Sequence, residues 1–340
     1  MSKPRKILLI GPMPPPSGGV STHLQRLLHR SRTESDLELK VLDIRRLRLH
    51  SVDQKSRNLL KIFAAFFAAE MIHIHISRKA KLFLADLTKF FRKKLIYTHH
   101  NARNLTDETT IRIMRKADQI VFVNAIPEEM HFELRKKCNV IPAFIPADSE
   151  SKLPDELLKE FGSGIILFTL CFQSNNSPIL VDGKDIYGFD LIFDALEKVM
   201  EQEPHSMIKL FIADPTDAMW SFYKERIEKL KAKTGLKIIY ERREIDFSSA
   251  LNHCSLLIRA TRSDGDSLSV REALSKGVPV LASNCTQRPE GVNTFASDDV
   301  NSLVRELKFM LANPVKQVFE QSDYAVQLFG LYRKVCNFKE

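Results

Sequence analysis

Between Arg259 and Val292 the chain reads RATRSDGDSLSVREALSKGVPVLASNCTQRPEGV, and its polar residues are of types that could bind and react. Asp264 and Glu272 stand with seven residues between them, and Arg259, Arg262 and Arg271 lie around them. Carboxylates so placed accept hydrogen bonds from sugar and ribose hydroxyls. Guanidiniums meet phosphate in bidentate fashion, and the amides of a helix start add to an anion site. The set suits a sugar nucleotide; the alternative is a solvated turn whose charges pair with one another. Two further candidate groups lie upstream. Gly18 and Gly19 follow an apolar run and a proline cluster, where bare backbone can come close to a bound group. His99 and His100 follow another apolar run, and a neutral imidazole there can hydrogen-bond a hydroxyl or shuttle a proton. His73 and His75, two residues apart, have no Cys or carboxylate spaced to complete a metal site.

These residues need elements to hold them. Ser255–Arg259 and Val278–Ala282 are apolar runs of strand length. Between them Asp266 or Ser267 can cap a helix running to Lys276, with Val270, Ala273 and Leu274 on one face and Gly277 as its stop. That is a βαβ unit, and its loop lies beyond the carboxyl end of a parallel strand, where open α/β sheets bind ligands. The same alternation fills the rest. Strands are predicted over 6–11, 37–43, 71–76, 95–97, 119–124 and 140–145, then over 164–168, 207–213 and 237–241. Helices are predicted from about Ser21 (Leu24, Leu27 and Leu28 inward), over 58–70, 78–94, 188–199, 220–233 and 246–253, and near 299–312 and 319–337. The stretch 146–154 reads as a linker.

The 259–292 stretch resembles the C-terminal signature of the retaining GT-B glycosyltransferases of family 4, in the branch of bacterial polysaccharide enzymes with a DGDS-type loop and a following RPEG, here Arg288–Gly291. In that signature two Glu flank the loop; here Asp264 replaces the first and Glu272 is the second. The resemblance implies an α/β fold of GT-B architecture, two Rossmann-like domains facing across a cleft. An acceptor-side domain would span 1–148 and a nucleotide-sugar domain 149–318, with 319–340 a helix returning to the first. It implies sugar transfer with retention from a nucleotide sugar to a glycan or lipid-linked oligosaccharide acceptor, with no cofactor and no metal. Catalytic roles fall on His100, Asp264 and Glu272. Donor and nucleotide binding falls on Gly18, Gly19, Lys184, Arg262, Ser267, Leu268 and Glu272. One departure stands out: Asn175–Gly188 lacks the family's Arg and Lys-Gly that meet the donor diphosphate, and Tyr187-Gly188 stands where Lys-Gly is expected. Lys184, Arg259 or Arg262 would have to supply that charge, or the chain is a non-catalytic glycosyltransferase-like binding or scaffold subunit.

Composition bounds these readings. The 340 residues suit two domains, 44% hydrophobic content is globular, and no run approaches the ~20 apolar residues of a membrane span. Five scattered cysteines without CxxC fit a reducing, cytoplasmic compartment. Residues 1–150 hold 27 Lys+Arg against 15 Asp+Glu, so the whole net charge of +9 arises in the first half. There the predicted helix 78–94 is basic, with Leu84, Leu87 and Phe91 on one face. Lys81, Lys89, Arg92, Lys93 and Lys94 would meet an anionic membrane surface, peripheral on its inner face. No nucleic-acid recognition motif accompanies the basicity, and the aromatics lie on the helix's apolar side. Asp264-Gly-Asp266 as a metal-binding DxD is the remaining rival.

Overall fold

The structure, a computed structural model, describes residues 3–76, 80–100, 105–128, 130–147, 151–172, 177–204 and 206–336. The chain divides into two compact units, Met1–Pro146 with Ser322–Glu340, and Ala147–Gln321. The boundary expected between 148 and 149 lies outside the described residues.

The first unit runs β1 (Arg5–Ile10), α1 (Gly19–Arg30), β2 (Leu37–Asp43), β3 (Arg48–His50), β4 (Lys55–Ser56), α2 (Leu59–Ala68), β5 (Met71–Ile74), α3 (Ala80–Phe90), β6 (Lys94–His99), α4 (Glu108–Lys116), β7 (Gln119–Phe122), α5 (Phe132–Arg135) and β8 (Cys138–Val140). Its sheet has the order β4-β3-β2-β1-β5-β6-β7-β8, parallel except at the β3 and β4 edge. Successive side chains of β1 serve opposite faces, which is why the run is apolar throughout. Ile7 and Leu9 join Leu24, Leu27 and Leu28 of α1, while Leu8 and Ile10 join Ile62 and Phe66 of α2.

The second unit runs α6 (Asp155–Phe161), β9 (Ile165–Leu170), a hairpin of β10 (Leu180–Val181) and β11 (Lys184–Asp185), α7 (Phe189–Gln202), β12 (Ile208–Ala213), α8 (Trp220–Thr234), β13 (Lys237–Glu241), α9 (Phe247–Leu251), β14 (Leu256–Arg259), α10 (Leu268–Ser275), β15 (Val280–Ser283), β16 (Val292–Phe295) and α11 (Val300–Ala312). Its main sheet, β13-β12-β9-β14-β15-β16, is wholly parallel. Leu167, Leu210 and Ile258 face α7, α8 and α11; Phe168, Phe211 and Leu257 face α6, α9 and α10. The chain ends with α12 (Ala325–Val335), whose Leu328, Phe329 and Tyr332 fill the first unit's core beside Ile7 and Val41.

Three sequence expectations change. The strand over 140–145 ends at Val140, because Pro142 and Pro146 lack the N–H a ladder needs; Ile141, Phe144 and Ile145 are buried all the same. The helix over 78–94 is shorter, ending at Phe90, with Arg92 at φ 52 turning the chain into β6; its expected start, Arg78, lies outside the described residues. The helix α4, unforeseen from sequence, buries Ile113 and Met114.

Candidate functional site

The charged loop of the second unit is built as its residues suggest. The helix α10 starts after Ser267, buries Val270, Ala273 and Leu274, and stops at Lys276 before Gly277 at φ +69. The loop from Ala260 to Ser267 therefore leaves the carboxyl end of β14, next to β9, where the strand order reverses. The segment from β9 to α7 leaves the neighbouring strand at the same end.

The loop's charges are largely spent on one another. Asp264 Oδ2 accepts from Arg259 Nε (3.0 Å), Arg288 Nη1 (2.9 Å) and Thr261 Oγ1 (3.2 Å). Its Oδ1 accepts from Arg259 Nη2 and the Gly265 amide, both at 3.1 Å. Five donors fill a carboxylate with about four lone-pair sites. Burial alone would raise this carboxyl, but Arg259 and Arg288 outweigh it and hold its pKa at about 2. Asp264 is thus the bolt of the loop, with no acceptor left for the donor-sugar hydroxyls assigned to it. Arg262 is equally committed: its guanidinium takes both oxygens of Asp190 (2.9 and 2.7 Å), the Asp185 carbonyl (2.6 Å) and, twice, Asp298 Oδ1 (3.0 and 2.8 Å). All five of its N–H groups are used. Lys184 also pairs with Asp298 at 2.7 Å, but both side chains are about half exposed, and such a pair exchanges readily with a better anion.

The glycine of Tyr187-Gly188 has a structural reason. Gly188 caps α7 at φ +69, and a Cβ there would stand 2.1 Å from the Ala260 carbonyl oxygen. Tyr187 lies under the Arg259 guanidinium, 5.4 Å from ring centre to carbon, and its hydroxyl donates to the Phe172 carbonyl. Asp185 anchors the same turn: it accepts from the Tyr187 and Phe189 amides and the Tyr223 hydroxyl, and burial raises its pKa. Asn175, which begins the stretch lacking the family's Arg, is outside the described residues. Glu272 is buried on α10, Leu268 opens that helix, and the Ser267 and Ser269 hydroxyls lie 2.9 Å apart.

In the first unit, Gly18 precedes α1 in extended backbone and donates its amide to Ser21 Oγ; a Cβ on Gly19 would meet nothing within 4 Å. Three imidazoles gather near the carboxyl ends of β5 and β6. His75 Nδ1 lies 2.9 Å from His100 Nε2, and the His23 ring centre is 5.6 Å from His75 and 5.8 Å from His100. His75 Nε2 is buried with no partner among the described residues. An orphaned buried acceptor is tolerated better than an orphaned N–H, so the shared proton belongs on His75 Nδ1. His100 Nε2 then accepts it, and the proton of neutral His100 sits on its Nδ1. Burial keeps both rings well below the usual imidazole range and lowers His23 to about 4, so all three are neutral at pH 7. His73 is structural, its nitrogens 2.7 Å from Tyr332 Oη and Thr98 Oγ1, and His99 Nδ1 lies 3.1 Å from Tyr97 Oη. Sequence reasoning passed over His23 and His75 as neighbours of His100, since only strand order joins them. Among the described residues no three His, Cys, Asp or Glu are arranged to hold a metal ion.

The cations expected on a membrane face separate. Lys81 is buried and donates to Thr110 Oγ1 at 2.6 Å, because α4 covers that side of α3. Lys89 pairs with Asp118 at 2.6 Å, and Lys93 donates to the carbonyls of Phe67 and Ala69, closing the end of α2. Arg92 and Lys94 are exposed. Phe91, expected inward, is exposed too, while Ala85 and Thr88 face the core.

Comparison with known proteins bears on the fold. Residues 181–313 match the model of the family described as glycosyl transferases group 1. No curated protein matches the chain. Among solved structures, a glycosyltransferase from Rickettsia africae is 14% identical with a TM-score of 0.70, over 99% of this chain and 100% of that one. Anabaena Alr3699/HepE, solved with UDP and glucose, is 13% identical with a TM-score of 0.65, over 98% and 96%. A UDP-forming α,α-trehalose-phosphate synthase from Burkholderia xenovorans, in complex with glucose-6-phosphate, is 10% identical with a TM-score of 0.68, over 98% and 100%. The chain therefore has the two-domain α/β fold of the GT-B glycosyltransferases, and its second unit carries the match to group 1 glycosyl transferases.

Proposed function

We propose that the protein transfers a sugar from a nucleotide-sugar donor, with retention, to a glycan acceptor that is lipid-linked and belongs to bacterial surface-polysaccharide synthesis. The observation that carries this reading is the position of the β14–α10–β15 unit. It presents buried Glu272 and the start of α10 at the switch point of the sheet, inside the span that matches group 1 glycosyl transferases. Glu272 takes the nucleotide ribose, and the amides at Ser267 and Leu268 take phosphate. Lys184, in its exposed ion pair, is the cation that can turn to the diphosphate. Arg262 and Asp264 act one step back, by fixing the loop. His100 offers a neutral N–H to the donor sugar, and Gly18 and Gly19 leave room for the acceptor. The reading needs no metal and puts the enzyme in the cytoplasm, against the inner membrane face; among the described residues no helix is long and apolar enough to cross a membrane.

A second reading, a glycosyltransferase-like binding subunit, is favoured by the commitment of Arg259, Arg262 and Arg288 to aspartates, which leaves the donor diphosphate poor in cations. Titration calorimetry with nucleoside diphosphates and their sugars, followed by a transfer assay in chelator, separates the two. Binding with turnover supports the enzyme, binding without turnover the subunit, and no binding removes both.

A further inference from the structure

Beneath the first unit's positive charge lies a stripe of apolar side chains that the fold leaves uncovered. The helix α2 turns Ile62 and Phe66 inward, and its other side carries Leu60 at 78% exposure, Phe63 at 59% and Phe67 at 54%. Phe67 meets the Phe91 ring edge-on at 5.0 Å, and Phe91 meets Phe90, itself 79% exposed, at 5.1 Å. The stripe thus runs on from α2 to the end of α3. Exposed Lys55, Arg57 and Lys61 lie at one end, and exposed Arg92 and Lys94 at the other. Between 55 and 94 there are ten Lys and Arg but only two acids, Glu70 and Asp86. Both acids are already paired, Glu70 with Arg5 at 2.5 Å and Asp86 with Lys116 at 2.6 Å.

An apolar helix face bordered by cations with no carboxylate to spare fits one occupant well. We propose that α2, with Phe90 and Phe91, is the surface by which the protein docks on an anionic lipid bilayer: Leu60, Phe63, Phe67 and Phe90 enter the acyl boundary, and Lys61, Arg92 and Lys94 meet headgroup phosphates. A second copy fits worse, because a self-complementary contact would set these cations against their own kind. The inference moves the membrane face from the body of α3, whose Lys81 is buried, to α2 and the end of α3, and it rests on the lipid-linked acceptor reading for its biological setting.

The test is co-sedimentation of the full chain with vesicles of phosphatidylglycerol and phosphatidylcholine, against phosphatidylcholine alone. Binding to the anionic vesicles is expected at low salt, weakening as salt screens the headgroups. Leu60→Ser with Phe63→Ser should weaken it about tenfold or more at an unchanged melting temperature, since both side chains already face water. Lys61→Glu with Arg92→Glu should abolish the anionic preference. Equal binding to both vesicle types, or full binding by the serine variant, overturns the proposal. So does a wild-type dimer in analytical ultracentrifugation that the serine variant makes monomeric. A nucleotide-sugar thermal shift on the same proteins keeps the two readings apart: vesicle binding without nucleotide binding leaves this surface standing and sinks the transferase.

Discussion

Asp264 and Glu272 look equivalent in the sequence, two acids on either side of one loop, yet they predict different phenotypes. Asp264→Ala removes the counter-charge of Arg259 and Arg288, both nearly buried, and should destabilise the second unit by about 3–5 kcal/mol. Glu272→Gln should leave the urea midpoint nearly unchanged while weakening nucleotide binding by about 1–3 kcal/mol, the scale of a hydrogen bond to a charged group. Equal stability losses in the two variants, or unchanged nucleotide affinity in the second, would show that the roles are misassigned. The histidines make a separate prediction with a definite sign. His23, His73, His75 and His100 all have folded pKa values lowered by burial, His23 to about 4, against 6.5 in the unfolded chain. Below pH 6.5 the unfolded state therefore binds protons that the native state refuses. Each such histidine removes about 1.4 kcal/mol of stability per pH unit until its folded pKa is reached. Urea unfolding of the first unit should weaken steeply from pH 6.5 to about 4; a flat midpoint over that window would mean that the rings are solvated.

At the scale of elements, Gly188 joins two segments of the second unit. Its left-handed conformation starts α7, and its missing Cβ lets the Ala260 carbonyl of the β14 loop approach. Gly188→Ala meets both the conformational penalty and the clash, so a loss of about 2–4 kcal/mol is expected in denaturant titration, with nucleotide binding falling in step. A near-neutral result would place the β9–α7 segment away from Ala260. Much at this scale was legible beforehand. The helix α10 was readable from Ser267, the 270/273/274 spacing and Gly277, since caps and periodicity are local signals. The β10–β11 hairpin was not, because a two-residue ladder has no pattern of its own; α4 was passed over although its Asp107 cap and the helical spacing of buried Thr110, Ile113 and Met114 are local signals.

For the whole molecule, division into two units sets what a ligand can stabilise. The residues assigned to the nucleotide's ribose and phosphates, Glu272, Lys184, Ser267 and Leu268, all belong to Ala147–Gln321. Nucleotide at a hundredfold excess over its dissociation constant should add about 2.7 kcal/mol to that unit. Calorimetry should then show its transition rising, while the unit holding β1, α1 and the histidines melts as before. A rise confined to the first unit would move the nucleotide site there.

The sequence by itself determined the alternation of strands and helices, the burial of both faces of each sheet and the position of the 259–292 loop, because apolar runs, helical spacing and glycine stops act over a few residues. The tertiary structure alone decided which charges remain for a ligand. Arg262 is consumed by Asp190 and Asp298, 72 and 36 residues away, and Asp264 by Arg288, 24 residues away. It alone decided that His75 stands against His100, and that α2 and the end of α3 leave Leu60, Phe63, Phe67 and Phe90 in water. Pairing and exposure are properties of distance in space, and strand order brings together side chains that no local pattern relates.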